Sequence, residues 1–125
     1  LICEVVRYNA TEKPVKQGVF PQYKYPQATM RYGKISDYLG LGGDSAEEKV
    51  ERLIDALNRL KQQLQIPASI QAYGVVESEF LAKVDVMAEE AFDDQCTPAN
   101  PRYPLVSELK QLLLNAYYGT PGKGL

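Results

Sequence analysis

The sequence contains no histidine among its 125 residues. Histidine is the most common general base in enzymes and the most common protein ligand of transition metals. Catalytic triads built on histidine, and metal sites that depend on it, are therefore excluded for these residues. Cysteine is scarce as well, because Cys3 and Cys96 are the only two. Two cysteines do not make a disulfide framework, so we interpret them as reduced thiols of a cytoplasmic protein.

The sequence also lacks a concentration of charge of one sign and any long apolar run. Its 14 basic and 16 acidic residues leave a net charge of −2, and the two signs are interspersed. A surface for nucleic acid or for an anionic membrane needs a concentrated basic field, so we predict neither as a partner. No stretch reaches the roughly 18 uncharged apolar residues that a membrane-spanning helix requires.

The chain opens on Leu-Ile-Cys-Glu-Val-Val-Arg-Tyr, a helical pattern with no capping residue before it. Leu1 is not a start methionine, and the basic region of a signal peptide is missing. We therefore expect a helix whose beginning lies upstream, in a fragment of a longer protein. The length is that of one compact domain. We predict a helical domain over residues 1–119 and a flexible, glycine-rich tail over residues 120–125.

Further segments carry apolar residues at the spacing of one helix face. The predicted helices run from about residue 28 to 39, from about Ala46 to Leu64, from about residue 78 to 91, and between Pro104, at the first helical position, and Gly119, with a single turn from Ser69 to Tyr73. The clearest apolar stripes are Ala28, Tyr32, Ile35 and Leu39, and then Val50, Leu53, Ile54, Leu57, Leu60 and Leu64. No segment shows the alternation typical of a strand. The sequence thus predicts an all-α, bundle-like domain of about five helices.

Two sets of residues mark helix ends. Ser45 and Glu48 form a predicted capping box, in which each side chain bonds the backbone of the other. Gly40, Gly42 and Gly43 follow a predicted helix rather than a strand. A phosphate-binding loop needs a preceding strand, so we interpret these glycines as a helix end and a linker.

Two further features have a structural and a functional interpretation. Phe20, Tyr23 and Tyr25 lie in an irregular segment over residues 9–25. We predict that they pin this loop onto the core, and an exposed recognition patch is the alternative. The acidic residues Glu89, Glu90, Asp93 and Asp94 end a predicted helix. Adjacent carboxylates on a helix diverge, which favours a solvated helix end over a cation site.

The segment from Asp93 to Pro104 is not explained by helical patterning. It joins two predicted helices and contains three prolines, an asparagine and Cys96, a thiol that could be buried. Proline-rich loops are stiff, and a stiff loop on a helical scaffold is a good wall for a substrate. The alternative is a rigid connector in which Arg102 pairs with a nearby carboxylate.

This segment, Phe-Asp-Asp-Gln-Cys-Thr-Pro-Ala-Asn-Pro-Arg-Tyr-Pro, and the residues after it to Gly119 resemble a known family. They are similar to the end of the iron-dependent alcohol dehydrogenase half of bifunctional aldehyde–alcohol dehydrogenases. Residues 1–9, 22–41, 66–70 and 74–75 resemble the same region. The resemblance covers nearly the whole chain. It implies that the chain is the C-terminal portion of the helical subdomain in the alcohol dehydrogenase half.

The resemblance also implies what this chain contributes. In the family an aspartate and three histidines hold the iron, and a glycine-rich loop binds NAD, all upstream of the region matched here. No catalytic, cofactor-binding or metal-binding residue is therefore expected in this chain. The loop matching Cys96, Thr97 and Asn100 lies near the substrate channel, which makes these three residues the candidate channel wall. Pro98 stands where the family more often has glycine.

The resemblance implies that the chain is a fragment of an enzyme that interconverts acetaldehyde and ethanol with iron and NAD. The fragment is expected to be inactive by itself. Its partners would be the remainder of that polypeptide and further copies in an oligomer or filament. We also expect exposed apolar surface along residues 1–6, where missing helices would pack. The alternatives are a free-standing helical protein-interaction module without catalytic activity and an independent metal-binding protein.

Overall fold

A computed structural model describes residues 1–11 and 27–119, and their regular structure is helical. The helices are α1 Ile2–Asn9, α2 Ala28–Tyr38, α3 Ala46–Gln63, α4 Ile70–Tyr73, α5 Glu77–Asp93 and α6 Val106–Tyr118, with a 3-10 turn at Thr97–Ala99. No strand forms within these two ranges, and the all-α prediction is confirmed. Of the helices described, none is long and apolar enough to cross a membrane.

Local hydrogen bonds explain where the helices begin. The Glu48 amide donates to Ser45 Oγ at 3.1 Å, as the capping box predicts. The Glu48 carboxylate, however, accepts from the amide of Asp44 at 2.8 Å and not from that of Ser45. The start of α6 also differs from the prediction. Pro104 precedes the capping residue Leu105 and lies outside the helix, because Leu105 has an extended backbone.

The core consists of two separate clusters of buried side chains. The first joins α1 to α3 and contains Cys3, Val6, Val50 and Ile54. The second joins α5 to α6 and contains Phe80, Val84 and Tyr117. Within it the rings of Phe80 and Tyr117 stack with their centroids 4.2 Å apart. Helix α1 also contacts α6, so it lies between the two parts of the molecule.

Two predicted apolar stripes are wrong over part of their length. The exposed fractions of Ile35, on α2, and of Leu39, which follows it, are 45% and 53%, whereas Gly33 and Ser36 are buried. The small residues let α2 lie close to α3, where the Lys49 side chain passes the Gly33 backbone. Leu60, near the end of α3, and Leu64, which follows the helix, are exposed. Periodicity defines a helix face, but the neighbouring helices decide which face is covered.

More apolar side chains of α1 are buried than the sequence suggested, since exposed apolar surface was expected along residues 1–6. Leu1 and Ile2 are exposed as expected, but Cys3 and Val6 face the core. Asn9, assigned to the irregular segment from the sequence, ends α1. Phe20, Tyr23 and Tyr25, and the tail over residues 120–125, lie outside the described residues.

Candidate functional site

The segment between α5 and α6 is braced against the last turn of α5. The Cys96 amide donates to Asp94 Oδ1 at 2.7 Å, and the Thr97 hydroxyl donates to the carbonyl of Ala91 at 2.6 Å. The 3-10 turn closes with the amide of Asn100 bonded to the carbonyl of Thr97 at 3.0 Å. These bonds give the loop a defined shape, as expected for a proline-rich connector.

This loop forms one side of a cavity of about 240 Å³. The lining residues are Val5, Tyr8, Cys96, Thr97, Asn100, Pro104, Leu109 and Leu112. The structure thus brings the three candidate channel residues, Cys96, Thr97 and Asn100, to one cavity. It also adds walls from α1 and α6 that sequence reasoning missed. Cys96 is exposed rather than buried, so its thiol remains accessible at the edge of the cavity.

The polar side chains around the cavity have protein partners for their donors. The Asn100 amide nitrogen donates to Asn9 Oδ1 at 2.7 Å and to the carbonyl of Arg102 at 2.6 Å. Its oxygen accepts from Asn9 Nδ2 at 3.1 Å. The Tyr8 hydroxyl donates to Glu108 Oε2 at 2.7 Å. Because these donors already bond protein acceptors, the surface of the cavity is mainly carbon, which suits a hydrocarbon group.

Arg102 lies buried behind this wall and connects three segments. Its guanidinium donates to the carbonyl of Tyr8 at 3.1 Å, to Thr11 Oγ1 at 3.0 Å and to Glu108 Oε1 at 2.7 Å. Its Cζ lies 3.8 Å from the centroid of the Tyr8 ring, a cation–π arrangement. The interpretation of Arg102 as the partner of a nearby carboxylate is confirmed. Its partners Tyr8 and Thr11 left no signal in the sequence, because they lie 94 and 91 positions away.

Burial, hydrogen bonds and charge shift two pKa values in this network. Burial raises the pKa of the Tyr8 phenol, and the hydrogen bond to Glu108 raises it further. Burial by itself also raises the pKa of the Glu108 carboxyl. The hydrogen bonds from Tyr8 and the Leu105 amide, together with the charge of Arg102, outweigh that effect and lower the pKa below 4.5. Glu108 is therefore an anion that three donors hold in place.

Iron does not fit the residues that the structure describes. Within residues 1–11 and 27–119, no three side chains of the types that bind metals converge on one point. Glu89, Glu90, Asp93 and Asp94 are all exposed at the end of α5, which agrees with the interpretation as a solvated helix end, and Asp94 also accepts from the amide of Cys96. The sequence has no histidine to add.

Comparison with known proteins agrees with the loop motif. A family model described as "Fe-containing alcohol dehydrogenase family, C-terminal" matches residues 1–117. The chain belongs to the iron-containing alcohol dehydrogenase family. Its helical structure is the one expected for the C-terminal domain of that family. A helical module unrelated to dehydrogenases, the alternative kept open from the sequence, is therefore wrong.

Individual relatives place the chain within this family. It is 58% identical to the bifunctional aldehyde-alcohol dehydrogenase of Escherichia coli K12 and 50% identical to the aldehyde-alcohol dehydrogenase of Clostridium acetobutylicum. These matches cover 95% and 97% of the chain but only 14% of each relative. An NADPH-dependent butanol dehydrogenase of Clostridium saccharobutylicum is 41% identical over 72% of the chain and 23% of its own length. The chain matches the C-terminal part of the bifunctional enzyme and is not a full enzyme.

Proposed function

We propose that this chain forms part of the wall of the alcohol dehydrogenase site in a bifunctional aldehyde–alcohol dehydrogenase that interconverts acetaldehyde and ethanol. The observation that carries the proposal is the cavity on which Cys96, Thr97 and Asn100 converge. Its surface is mainly carbon, which suits the alkyl part of an alcohol or aldehyde. Cys96 acts there as a steric boundary and not as a nucleophile.

The chemistry of the reaction belongs to residues outside this chain. Iron would be held by the rest of the polypeptide, because the described residues offer no suitable cluster. We infer NAD as the cofactor from the resemblance of the loop motif, and the remainder of the polypeptide as the first partner. Further copies in an oligomer or filament, and a cytoplasmic location, belong to the same proposal.

The first test compares the chain with the full-length enzyme that contains it. Both are assayed with ethanol and NAD, and their iron is measured in parallel. We expect alcohol dehydrogenase activity and bound iron in the full-length enzyme alone. The proposal is contradicted if the isolated chain has alcohol dehydrogenase activity, or if the iron-loaded full-length enzyme has none.

A second test changes the size of the cavity. In the full-length enzyme, Cys96→Trp should lower kcat/KM for 1-butanol relative to ethanol by roughly tenfold or more, because a side chain that fills the cavity mouth excludes the longer alkyl group. Iron content should not change. Gln95→Trp, at the exposed neighbouring position, is the matched control and should keep the wild-type ratio. Loss of iron with an unchanged ratio would show that Cys96 does not line the channel.

A further inference from the structure

Two of the cavity walls depend on a residue that does not line the cavity. Tyr8 and Asn100 face it from α1 and from the loop. The Arg102 guanidinium lies against the ring of Tyr8, and the Arg102 carbonyl accepts from the amide of Asn100. Arg102 itself is only 6% exposed. Its contacts therefore reach the cavity through these two side chains.

We propose that Arg102 is a positioning residue that sets the shape of the alkyl-binding cavity by acting through Tyr8 and Asn100. The proposal rests on the proposed function, since it concerns the same site. Its geometric basis is that one guanidinium links the three segments around the cavity. It belongs to the loop, it bonds the carbonyl of Tyr8 on α1, and it bonds Glu108 on α6.

The number and direction of these bonds require arginine. A guanidinium presents its donors in a fixed plane, so the bonds to the Tyr8 carbonyl, to Thr11 and to Glu108 fix the distances among the three segments. A lysine ammonium in the same place is a point donor on a flexible stem. It could reach Glu108 but would not maintain the other two bonds together with the stacking on Tyr8.

A buried ion pair is weak evidence for stability, because the cost of removing both charges from water offsets much of their attraction. The Arg102–Glu108 pair is of this kind, with side chains 8% and 18% exposed. Its expected contribution is therefore to geometry more than to the free energy of unfolding. The reciprocal amide bonds between Asn9 and Asn100 add a second link between α1 and the loop.

The test uses the full-length enzyme and separates positioning from folding. The variants are Arg102→Lys, Arg102→Met and the milder Thr11→Val. The last removes the hydroxyl that accepts from Arg102 and donates to the carbonyl of Tyr8, with little change of shape. Arg7→Met is the matched control. It breaks the exposed Arg7–Glu51 pair, which lies outside the cavity. For each variant, KM and kcat are measured with ethanol and 1-butanol, together with hydrogen exchange of peptides from residues 94–103.

We expect Arg102→Met to raise KM for 1-butanol roughly tenfold, with a smaller change in kcat and faster exchange over residues 94–103. Thr11→Val should shift KM in the same direction by a smaller factor. Arg102→Lys should recover only part of the loss, and Arg7→Met should behave as wild type.

Two results would overturn the proposal and are distinguishable. If the wild-type enzyme is active and Arg102→Met or Thr11→Val lowers only Tm, leaving KM for both alcohols unchanged, then Arg102 is merely structural. If the wild-type enzyme shows no alcohol dehydrogenase activity, the proposed function fails and this role fails with it. Should Arg102→Met not fold, Thr11→Val and Arg102→Lys decide the question through the same KM values.

Discussion

Ser36 is a buried polar residue in the contact between α2 and α3. Its exposed fraction is 0%, and among the described residues its hydroxyl has no hydrogen-bond partner. A hydroxyl buried without a partner destabilises the folded state, because it gives up its bonds to water without replacement.

Replacing Ser36 by alanine should therefore stabilise the protein by about 1 kcal/mol or more. Part of the gain comes from the higher helix propensity of alanine, by up to roughly 0.5 kcal/mol. Ser78→Ala, at an exposed position of α5, is the control for this contribution of helix propensity. The free energy of unfolding is obtained from urea titrations. If Ser36→Ala raises the free energy of unfolding by no more than Ser78→Ala does, then burying the Ser36 hydroxyl does not destabilise the folded state.

Glu108 should make stability depend on pH. The pKa of Glu108 is about 4.5 in the unfolded chain and is lowered in the folded state. At a pH between the folded and the unfolded pKa, the unfolded chain therefore binds a proton that the folded chain does not. Its contribution is complete above 4.5 and is lost as the pH falls through the folded pKa. Glu108→Gln should show a smaller fall in the urea midpoint over this acidic range than wild type. An equal fall in both proteins would contradict the role assigned to Glu108.

At the scale of helices, Gly119 ends α6 in the left-handed region with φ of 71°. A Cβ placed there would lie 3.1 Å from Cβ of Ser69, the residue that caps α4. Gly42 has φ of 79°, and a Cβ there would meet nothing within 4 Å. The two glycines thus share a backbone requirement and differ in crowding.

Gly42→Ala should cost about 1 kcal/mol, the penalty of the left-handed backbone alone. Gly119→Ala should cost more, because the new methyl group also displaces Ser69. Urea titrations of both variants measure the difference. Equal losses would mean that α4 moves away without cost.

The ends of the helices were largely predictable from the sequence. The capping serines Ser45 and Ser69 and the terminal glycines Gly74 and Gly119 act on residues within one turn, so their effect is visible in a short window. The covered face of α2 was not predictable. Ile35 and Leu39 have the spacing of a core stripe, but α3 packs against the side that carries Gly33 and Ser36.

At the scale of the molecule, the two buried clusters share no residue. Changes in different clusters should therefore add. Ile54→Val should cost about 1 kcal/mol and Val84→Ala roughly 2 kcal/mol, and the double variant should cost their sum to within about 0.5 kcal/mol.

The matched control pairs Ile54→Val with Val50→Ala, whose sites lie in one cluster, and it should deviate from additivity. All free energies come from urea titrations with unchanged m values. A large coupling between Ile54 and Val84 would show that the two clusters do not act independently.

The sequence by itself determined the helical class, most helix ends, and the family through the motif over residues 92–119. It also identified Cys96, Thr97 and Asn100 as neighbours in one loop. The tertiary structure decided that Tyr8, Asn9 and Thr11 meet that loop, and that Arg102 bonds the two sides of the cavity. The physical reason is separation along the chain. Caps and turns act over three or four residues, whereas these contacts join residues more than ninety positions apart, where only packing can bring them together.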